Sequence, residues 1–339
     1  MKKIPLIEAC GSNYEIGFAI GQKLKKQIRE LIKIERKDYP AESGKPLPYY
    51  VKKMNTIVGI PEKYFPHYVE ELLGMAEGSG IDFNTIVALG CDDDLVFNCT
   101  SIAGLSKEGM ILGHNEDWLR DHINSLYICR IEQKDKPDSM SLSFIGHLPG
   151  LSIGFNSEGC AYTENSIYTK GINRKDLPMQ FLVRAHLDAK KYSDLTRIFS
   201  IRDKMIGGNS LIAFKGKIFD VEFLPKGYAT IHGHEYLAHT NHVLSRRIMS
   251  EEKHHSRGSV WRLDRANELL KNNDFSFDLV KKILSDHVHR PFSICYHEFE
   301  KKGAEPYSTI ASAIAKVDKK EFYVAHGNPC EAKYNKYYL

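Results

Sequence analysis

The first part of the chain has apolar residues at helical spacing. Within 14–37 they lie three or four positions apart, with lysines between them, at Ile16, Ile20, Leu24, Ile28 and Leu31. This spacing is typical of one face of an amphipathic helix. A second helix is predicted over 61–78, with Pro61 at its start, and a third begins near Asp82. The first hundred residues are therefore predicted to be mainly helical.

The pattern changes near residue 99 to short apolar runs bounded by Gly, Asn and Asp, which are typical of strands. Strands are predicted at 109–113, 125–132, 140–146, 150–156, 159–164, 209–215, 217–223, 227–231, 307–316 and 320–325. Asn156-Ser157-Glu158-Gly159 is predicted to form a hairpin turn. Helices are predicted at 178–188, 192–203 and 259–271. This order indicates an α+β architecture in which helices cover sheets.

Bulk properties exclude several classes of protein. The chain has 339 residues, of which 42% are hydrophobic, enough for one large domain or two. Its net charge is only +4 and no basic face stands out, so no nucleic-acid partner is expected. Pro5 and Glu8 interrupt the first apolar stretch, and no run of about 20 apolar residues could span a bilayer. The protein is predicted to be soluble and cytoplasmic, with no membrane partner.

Cysteine and histidine spacing gives little support for a metal. The cysteines are odd in number and widely spaced, which favours reduced thiols over disulfides: Cys10, Cys91, Cys99, Cys129, Cys160, Cys295 and Cys330. They form no CxxC pair, so a structural zinc site is not expected. The histidine-rich stretch 232–255 lacks the HExxH pattern and is interrupted by Gly233. Neither a metal nor a cofactor is predicted.

Cys99, in Asn98-Cys99-Thr100-Ser101, is the candidate nucleophile. A cut before it would give the cysteine an α-amine with a pKa of about 8, close to the value of about 8.5 for its thiol. The amine could then act as the base, and no histidine partner would be required. The alternative is that Cys99 is a small buried apolar residue.

Five segments extend this hypothesis. They are Cys99-Thr100-Ser101, Gly113-His114-Asn115-Glu116-Asp117, Gly154-Phe155-Asn156-Ser157-Glu158-Gly159, His239-Thr240-Asn241-His242 and Pro291-Phe292-Ser293-Ile294-Cys295. Because it has these segments in this order, the chain resembles the isopenicillin N acyltransferase family of N-terminal-nucleophile hydrolases. It resembles the conjugated bile acid hydrolases more distantly. The resemblance covers most of the chain, from about residue 10 to 330.

The resemblance implies a four-layer αββα sandwich and a precursor that cuts itself at Asn98–Cys99. The products would be a helical pro-segment or α chain, 1–98, and a β chain, 99–339, which stay associated as one composite domain. In the best-known relative, glycine precedes the cysteine, whereas this chain has Asn98.

The resemblance also implies roles for other polar residues. Asp117 would hold the new amine, and Asn241 would donate to the oxyanion. Asn165 would lie near the oxyanion, and Arg262 would support the site. Taken alone, these four residues could instead be a turn aspartate, a loop asparagine, a strand-end asparagine and a helix-surface arginine. His114 is expected to be structural.

The predicted function is an autoprocessed amidohydrolase or acyltransferase that cleaves a linear amide through a thioester on Cys99. Its partners would be a small-molecule amide or acyl donor and possible further copies of the chain. One alternative is an unprocessed ligand-binding protein of the same fold. Another is a bile-salt-type hydrolase, which the long segment before Cys99 disfavours. Gly303-Ala304-Glu305-Pro306-Tyr307-Ser308 replaces a segment with a serine–arginine pair in the penicillin-forming enzyme, which argues against a penicillin-specific substrate.

Overall fold

The computed structural model describes residues 3–35, 47–52, 58–90, 98–171, 175–202, 204–297 and 307–339. Cys91 and residues 303–306 lie outside this part of the chain. The strands are β1 Leu6–Cys10, β2 Thr100–Ser106, β3 Gly109–Leu119, β4 Leu126–Glu132, β5 Ser139–Phe144, β6 Ile153–Asn156, β7 Cys160–Ile167, β8 Gly207–Phe214, β9 Lys217–Leu224, β10 Gly227–Gly233, β11 Tyr236–His239, β12 Tyr307–Lys316, β13 Glu321–His326 and β14 Asn335–Tyr338. The helices are α1 Asn13–Glu35, α2 Leu47–Val51, α3 Gly59–Tyr64, α4 Pro66–Ser79, α5 Phe83–Leu89, α6 Met179–Leu187, α7 Tyr192–Ser200, α8 Arg257–Lys271 and α9 Phe277–Leu284.

The strands form two sheets. One has eight strands in the order β1-β4-β5-β6-β7-β8-β9-β10, and the other has six in the order β11-β2-β3-β12-β13-β14. β1 pairs with β4 in parallel. The other strand pairs are antiparallel.

Side chains alternate between the two faces of each strand, and this alternation builds the layers. On β3, Leu112 faces the eight-stranded sheet within one apolar cluster, while Ile111 contacts the cluster formed with α8 and α9. On β7, Tyr162 packs in the cluster formed with α1, α4 and α6, and Ala161 faces the space between the sheets. Helices thus cover the outer face of each sheet. The predicted αββα sandwich is confirmed.

The described part of the first hundred residues is mainly helical, as predicted, but one of its predicted helices needs correction. The helix expected over 61–78 is two helices, α3 and α4, separated at Phe65 (φ −140°, ψ 57°). Pro66 lacks the N–H that a continuous helix would need, and it begins α4 instead. The segment is also not wholly helical, because β1 joins the eight-stranded sheet. β1 was not predicted because its sequence, Leu6-Ile7-Glu8-Ala9-Cys10, lacks a strict alternation of apolar and polar residues.

Among the described residues, the helices are too short or too polar to cross a bilayer.

Candidate active site

Cys99 lies at the start of β2, next to β3. The backbone N–H of Asn98 donates to the Asp117 carbonyl oxygen (3.3 Å), which extends the antiparallel register that begins at Thr100 and Asn115. The Cys99 side chain is buried, at 2% exposed. The bond predicted to be cut is therefore held in line against the end of β3.

The Cys99 thiol contacts a carboxylate that the sequence analysis did not assign to the site. Sγ donates to Glu116 Oε1 (3.1 Å). Burial raises the pKa of the Cys99 thiol well above its usual value, and the charges of Glu116 and Asp117 raise this pKa further. In the uncut chain the sulfur is thus a protonated thiol facing a hydrogen-bond acceptor.

A chain of hydrogen bonds continues from Glu116 between the sheets. Glu116 Oε2 contacts His114 Nε2 (3.2 Å), and His114 Nδ1 contacts Ser101 Oγ (3.0 Å). Ser101 donates to Asn165 Oδ1 (3.0 Å), and Asn165 Nδ2 donates to Asn209 Oδ1 (2.5 Å). Asn165 is therefore linked to the thiol through three intervening side chains, and His114 is one of them.

Asp117 points to the opposite face of β3. Its Oδ1 accepts a hydrogen bond from Thr309 Oγ1 (2.5 Å). Its Oδ2 is buried and has no hydrogen-bond partner among the described residues. Burial raises the pKa of this carboxyl well above its usual value, although Arg262 and the Thr309 bond act against that shift. A buried carboxylate oxygen without a partner is costly and is expected to have a use.

Arg262 joins three parts of the candidate site. From α8 its Nη1 donates to the Cys99 carbonyl oxygen and to Thr100 Oγ1 (2.8 Å), and its Nη2 donates to Asn241 Oδ1 (2.9 Å). The guanidinium is 2% exposed. It is therefore not the helix-surface arginine that was the alternative reading.

Asn241 is held from both ends of its amide. Oδ1 accepts from Arg262, and Nδ2 donates to the Ser166 carbonyl oxygen (3.1 Å). A side-chain amide has two N–H bonds, and Ser166 takes one of them. The second has no hydrogen-bond acceptor among the described residues.

A small cavity lies beside the sulfur. It has a volume of about 20 Å³ and is lined by Cys99, Glu116 and Glu164 together with apolar side chains that include Trp118 and Phe144. That volume holds about one water molecule. The much larger groove of about 840 Å³ is lined by residues of α3, α4, α6 and α7, which include Tyr68 and Arg197. It therefore lies in the helical layer and not at Cys99.

Glu164 carries a second unused carboxylate oxygen. Its Oε1 accepts from Ser210 Oγ, while its Oε2 is buried without a hydrogen-bond partner among the described residues. Burial raises the pKa of Glu164 well above its usual value, against the opposing effect of the Ser210 bond. The sequence analysis missed both Glu116 and Glu164. The alternation of β3 places Glu116 on the same face as His114, but only the pairing with β2 shows that this face holds the sulfur.

A family model described as acyl-coenzyme A:6-aminopenicillanic acid acyl-transferase matches residues 105–331, more than half of the chain. The chain belongs to this family. The match confirms the predicted resemblance and, at the level of the family, the prediction of an enzyme. It begins after Cys99, so the role of the cysteine depends on the geometry.

Two curated relatives are a hydrolase and an acyltransferase. The β-alanyl-dopamine/carcinine hydrolase of Drosophila melanogaster is 27% identical over 232 residues, which are 60% of this chain and only 58% of that protein. The 40 kDa form of the acyl-coenzyme A:6-aminopenicillanic-acid-acyltransferase of Emericella nidulans is 22% identical over 324 residues, 90% of this chain and 89% of that protein.

Two solved structures are also similar. A variant of the conjugated bile acid hydrolase from Clostridium perfringens has 11% identity and a TM-score of 0.47, and it covers 71% of this chain and 97% of its own. The penicillin V acylase from Agrobacterium tumefaciens has 13% identity and a TM-score of 0.43. The match covers 67% of this chain and 83% of the acylase chain.

Proposed function

We propose that this protein is a self-processing N-terminal-cysteine enzyme that cleaves a linear amide through a thioester on Cys99. The acyl group would then pass to water or to an acceptor amine. The unpartnered Oδ2 of Asp117 carries this proposal. It is a buried acceptor on the residue whose backbone carbonyl oxygen accepts from Asn98, and we propose that the α-amine released by cleavage supplies the missing donor.

Self-processing would begin at the thiol that contacts Glu116. Sγ attacks the Asn98 carbonyl carbon, a C–S bond forms, and the C–N bond breaks as the thiol proton passes to the nitrogen. Water then hydrolyses the thioester, which leaves a carboxyl group on Asn98 and restores the thiol. The cavity of about 20 Å³ in the uncut chain agrees with a zymogen, because a site of that size admits about one water molecule.

Turnover would repeat the same chemistry on a substrate. The Cys99 amine takes the thiol proton, the sulfur attacks the amide carbonyl, and the amine returns the proton to the leaving nitrogen. Asp117 would orient the amine, and Arg262 would hold Asn241, whose free N–H would stabilise the oxyanion. Loss of such a donor typically costs about 3 kcal/mol of transition-state stabilisation.

The test is the integrity of the purified chain. Denaturing electrophoresis and N-terminal sequencing are expected to give fragments of 98 residues and 339 − 98 = 241 residues, the larger beginning at Cys99. Cys99→Ala is expected to abolish cleavage and turnover, and Cys99→Ser to retain slow cleavage. The matched control is Cys160→Ala, another buried cysteine, which lies on β7. An active, unbroken chain from Met1 to Leu339 would overturn the proposal.

The two alternatives give different results. A single persistent band from a protein that binds an amide without turnover would support the ligand-binding protein. Hydrolysis of glycine-conjugated bile salts in preference to simple acyl-amides would support the bile-salt-type hydrolase.

Glu164 further favours an acyl group that carries an amine. Glu164 lines the cavity beside Cys99 and has an unpartnered Oε2, with which a substrate ammonium would pair and so restore the negative charge of the carboxylate. The name of the Drosophila relative includes a β-alanyl substrate, whose acyl part ends in an amine. We therefore infer that an aminoacyl amide is the substrate class.

A matched pair of anilides tests this substrate class. The cleaved enzyme is expected to hydrolyse a β-alanyl anilide faster than the propionyl anilide, which lacks only the amine. Glu164→Gln keeps the Ser210 bond but removes the charge, so the preference should disappear while the propionyl rate stays similar. Equal rates on the two anilides in the wild-type enzyme would reject the substrate class but leave the thioester mechanism intact.

A further inference from the structure

Four metal-binding side chains meet away from the catalytic cysteine. They are His287, Cys295, His297 and Cys330, and one ligand atom from each lies within 4.8 Å of the others. The first three follow α9, and Cys330 lies between β13 and β14. Cys295 and Cys330 are 35 residues apart in sequence. A search for CxxC spacing therefore does not find them.

We propose that these four side chains bind one zinc ion as a Cys₂His₂ site. A tetrahedral zinc with Zn–S bonds of about 2.3 Å and Zn–N bonds of about 2.0 Å separates two sulfurs by about 3.8 Å, two nitrogens by about 3.3 Å and a mixed pair by about 3.5 Å. The Cys295 and Cys330 sulfurs are 3.6 Å apart. The Nε2 atoms of His287 and His297 are 3.1 Å apart.

Two of the four nitrogen–sulfur distances agree with the same tetrahedron, and the other two, from His287, are within 4.8 Å. His297 Nε2 lies 3.6 Å from Cys295 Sγ and 3.2 Å from Cys330 Sγ. Hydrogen bonds could satisfy separate pairs of these atoms, but a common ion explains why all four point to one centre. A disulfide would require the sulfurs to be about 2.05 Å apart, well below the observed separation.

The surroundings resemble the outer shell of a structural zinc site. Asn328 Nδ2 lies 3.6 Å from Cys295 Sγ, where an amide N–H stabilises a thiolate. On the other side of His297, Nδ1 is 3.9 Å from Glu331 Oε1. At this distance Glu331 attracts the ring by charge but does not form a hydrogen bond with it. Four protein ligands leave no open position, which favours a structural role over a catalytic one.

The proposed ion would support Asp117 through one intervening segment. Tyr296, between two of the ligands, donates its backbone N–H to Thr309 Oγ1 (2.9 Å), and its carbonyl oxygen accepts from the Thr309 N–H (2.8 Å). Thr309 Oγ1 in turn donates to Asp117 Oδ1. The zinc would therefore fix the segment that holds Thr309 against Asp117.

Metal analysis of the full chain tests the site without an activity assay. Protein purified without a metal-affinity tag is expected to contain about one zinc per chain. Cys330→Ser should lose most of this zinc, whereas Cys10→Ser, which changes an exposed cysteine on β1, should keep it. Replacement of zinc by cobalt(II) should give the absorption bands of a tetrahedral thiolate site.

Measurements on the wild-type protein test the proposal even if the Cys330→Ser variant misfolds. A chain that binds neither zinc nor cobalt(II) after reduction and metal addition would overturn the proposal. So would peptide mapping that finds a Cys295–Cys330 disulfide in the freshly isolated protein. Chelation should lower the melting temperature, and added zinc should restore it. An unchanged melting temperature after complete zinc removal would contradict the structural role.

Discussion

At the scale of residues, two neighbours on β3 serve different parts of the nucleophile. Glu116 faces the space between the sheets and accepts from the Cys99 sulfur, whereas Asp117 faces Thr309 and Arg262 on the other side. The division follows from strand alternation, because successive side chains point to opposite faces. The thiol is thus next to one carboxylate, and the proposed mechanism gives the other carboxylate to the amine that cleavage would release.

Asp117→Asn removes the negative charge of the Asp117 side chain but keeps its size and shape, so it tests the role of the charge alone. The Thr309 bond to Oδ1 can persist, but an amide N–H would replace the Oδ2 acceptor and repel the cysteine ammonium. We expect kcat to fall by about a hundredfold or more. The measurement is the steady-state rate on an acyl-anilide, divided by the fraction of chain that electrophoresis shows to be cut.

Asp138→Asn, at an exposed aspartate before β5, is the matched control and should keep the wild-type rate. A cut Asp117→Asn enzyme with wild-type kcat would show that the amine does not need this carboxylate.

The sequence predicted part of this residue-level picture. Arg262 links Cys99 and Asn241, three residues that were all named in advance. Glu116 stood in a quoted segment without a role, because the facing strand decides which side of β3 meets the sulfur. Cys330 had no local signal, since its proposed co-ligands lie in a different loop.

At the scale of elements, α1 and α4 pack backbone to backbone through glycines. A Cβ on Gly17 would lie 1.7 Å from the Glu71 carbonyl oxygen, and one on Gly74 would lie 2.1 Å from the Tyr14 carbonyl oxygen. Glycine inside a helix normally costs about 1 kcal/mol relative to alanine. The close approach of the two helices explains why it is used here.

Gly17→Ala is therefore expected to destabilise the protein despite the better helix propensity of alanine. The clash is with backbone, so one helix must shift, at a cost of about 1–3 kcal/mol. Urea unfolding in the Cys99→Ala background, where both segments unfold as one chain, measures the difference. Gly59→Ala in α3 is the control, because its added methyl meets nothing within 4 Å. Equal stability of the two variants would mean that the helices have room to separate.

Hydrophobic spacing predicted α1 closely, from 14–37 against the observed Asn13–Glu35. It did not reveal the glycine contact, since the spacing of small residues in one helix does not identify the partner helix. The short strands β1, β11 and β14 were missed for a related reason. Each is only four or five residues long and gains its stability from a neighbour distant in sequence.

A buried histidine ties β11 to β9. His239 Nε2 lies 2.9 Å from Glu222 Oε1 and 3.7 Å from Asp220 Oδ2, and its ring is 6.4 Å from that of His242. Burial lowers the pKa of His239, but the two carboxylates and the Thr240 carbonyl outweigh this effect and raise the pKa to about 9. The β11 edge of the smaller sheet is thus linked by charge to the larger sheet.

The contact of His239 with the two carboxylates predicts a loss of protein stability at alkaline pH. Because the pKa of His239 is higher in the folded protein than in the unfolded chain, where it is about 6.5, the charged histidine stabilises the fold. This stabilisation is fully present below about pH 6.5. The contribution, on the order of 3 kcal/mol, should disappear as the pH rises through 9. In urea unfolding, the stability difference between the protein and His239→Gln should therefore shrink from pH 7 to pH 9.5. A stability difference that does not change with pH would exclude a charged His239. The control is His254→Gln, at a histidine that does not contact these carboxylates, which should show no such trend.

At the scale of the whole molecule, the proposed cut at residue 98 divides a shared core. β1 lies before the cut and pairs with β4 from Leu6–Ile128 to Cys10–Glu132. Leu24 of α1 packs in the same apolar cluster as Phe181 of α6. Neither fragment can bury this surface alone, so the two should remain together after processing.

We expect the cut protein to elute in native size-exclusion chromatography with the uncut Cys99→Ala chain, at 38.7 kDa or a common multiple of it. The two fragments should separate only in denaturant. Leu24→Asp, which puts a charge into the shared core, should promote dissociation, whereas Lys25→Asp on the exposed side of α1 should not. Free release of the 1–98 fragment from the wild-type protein would show that it is a removable pro-segment and not a permanent part of the sandwich.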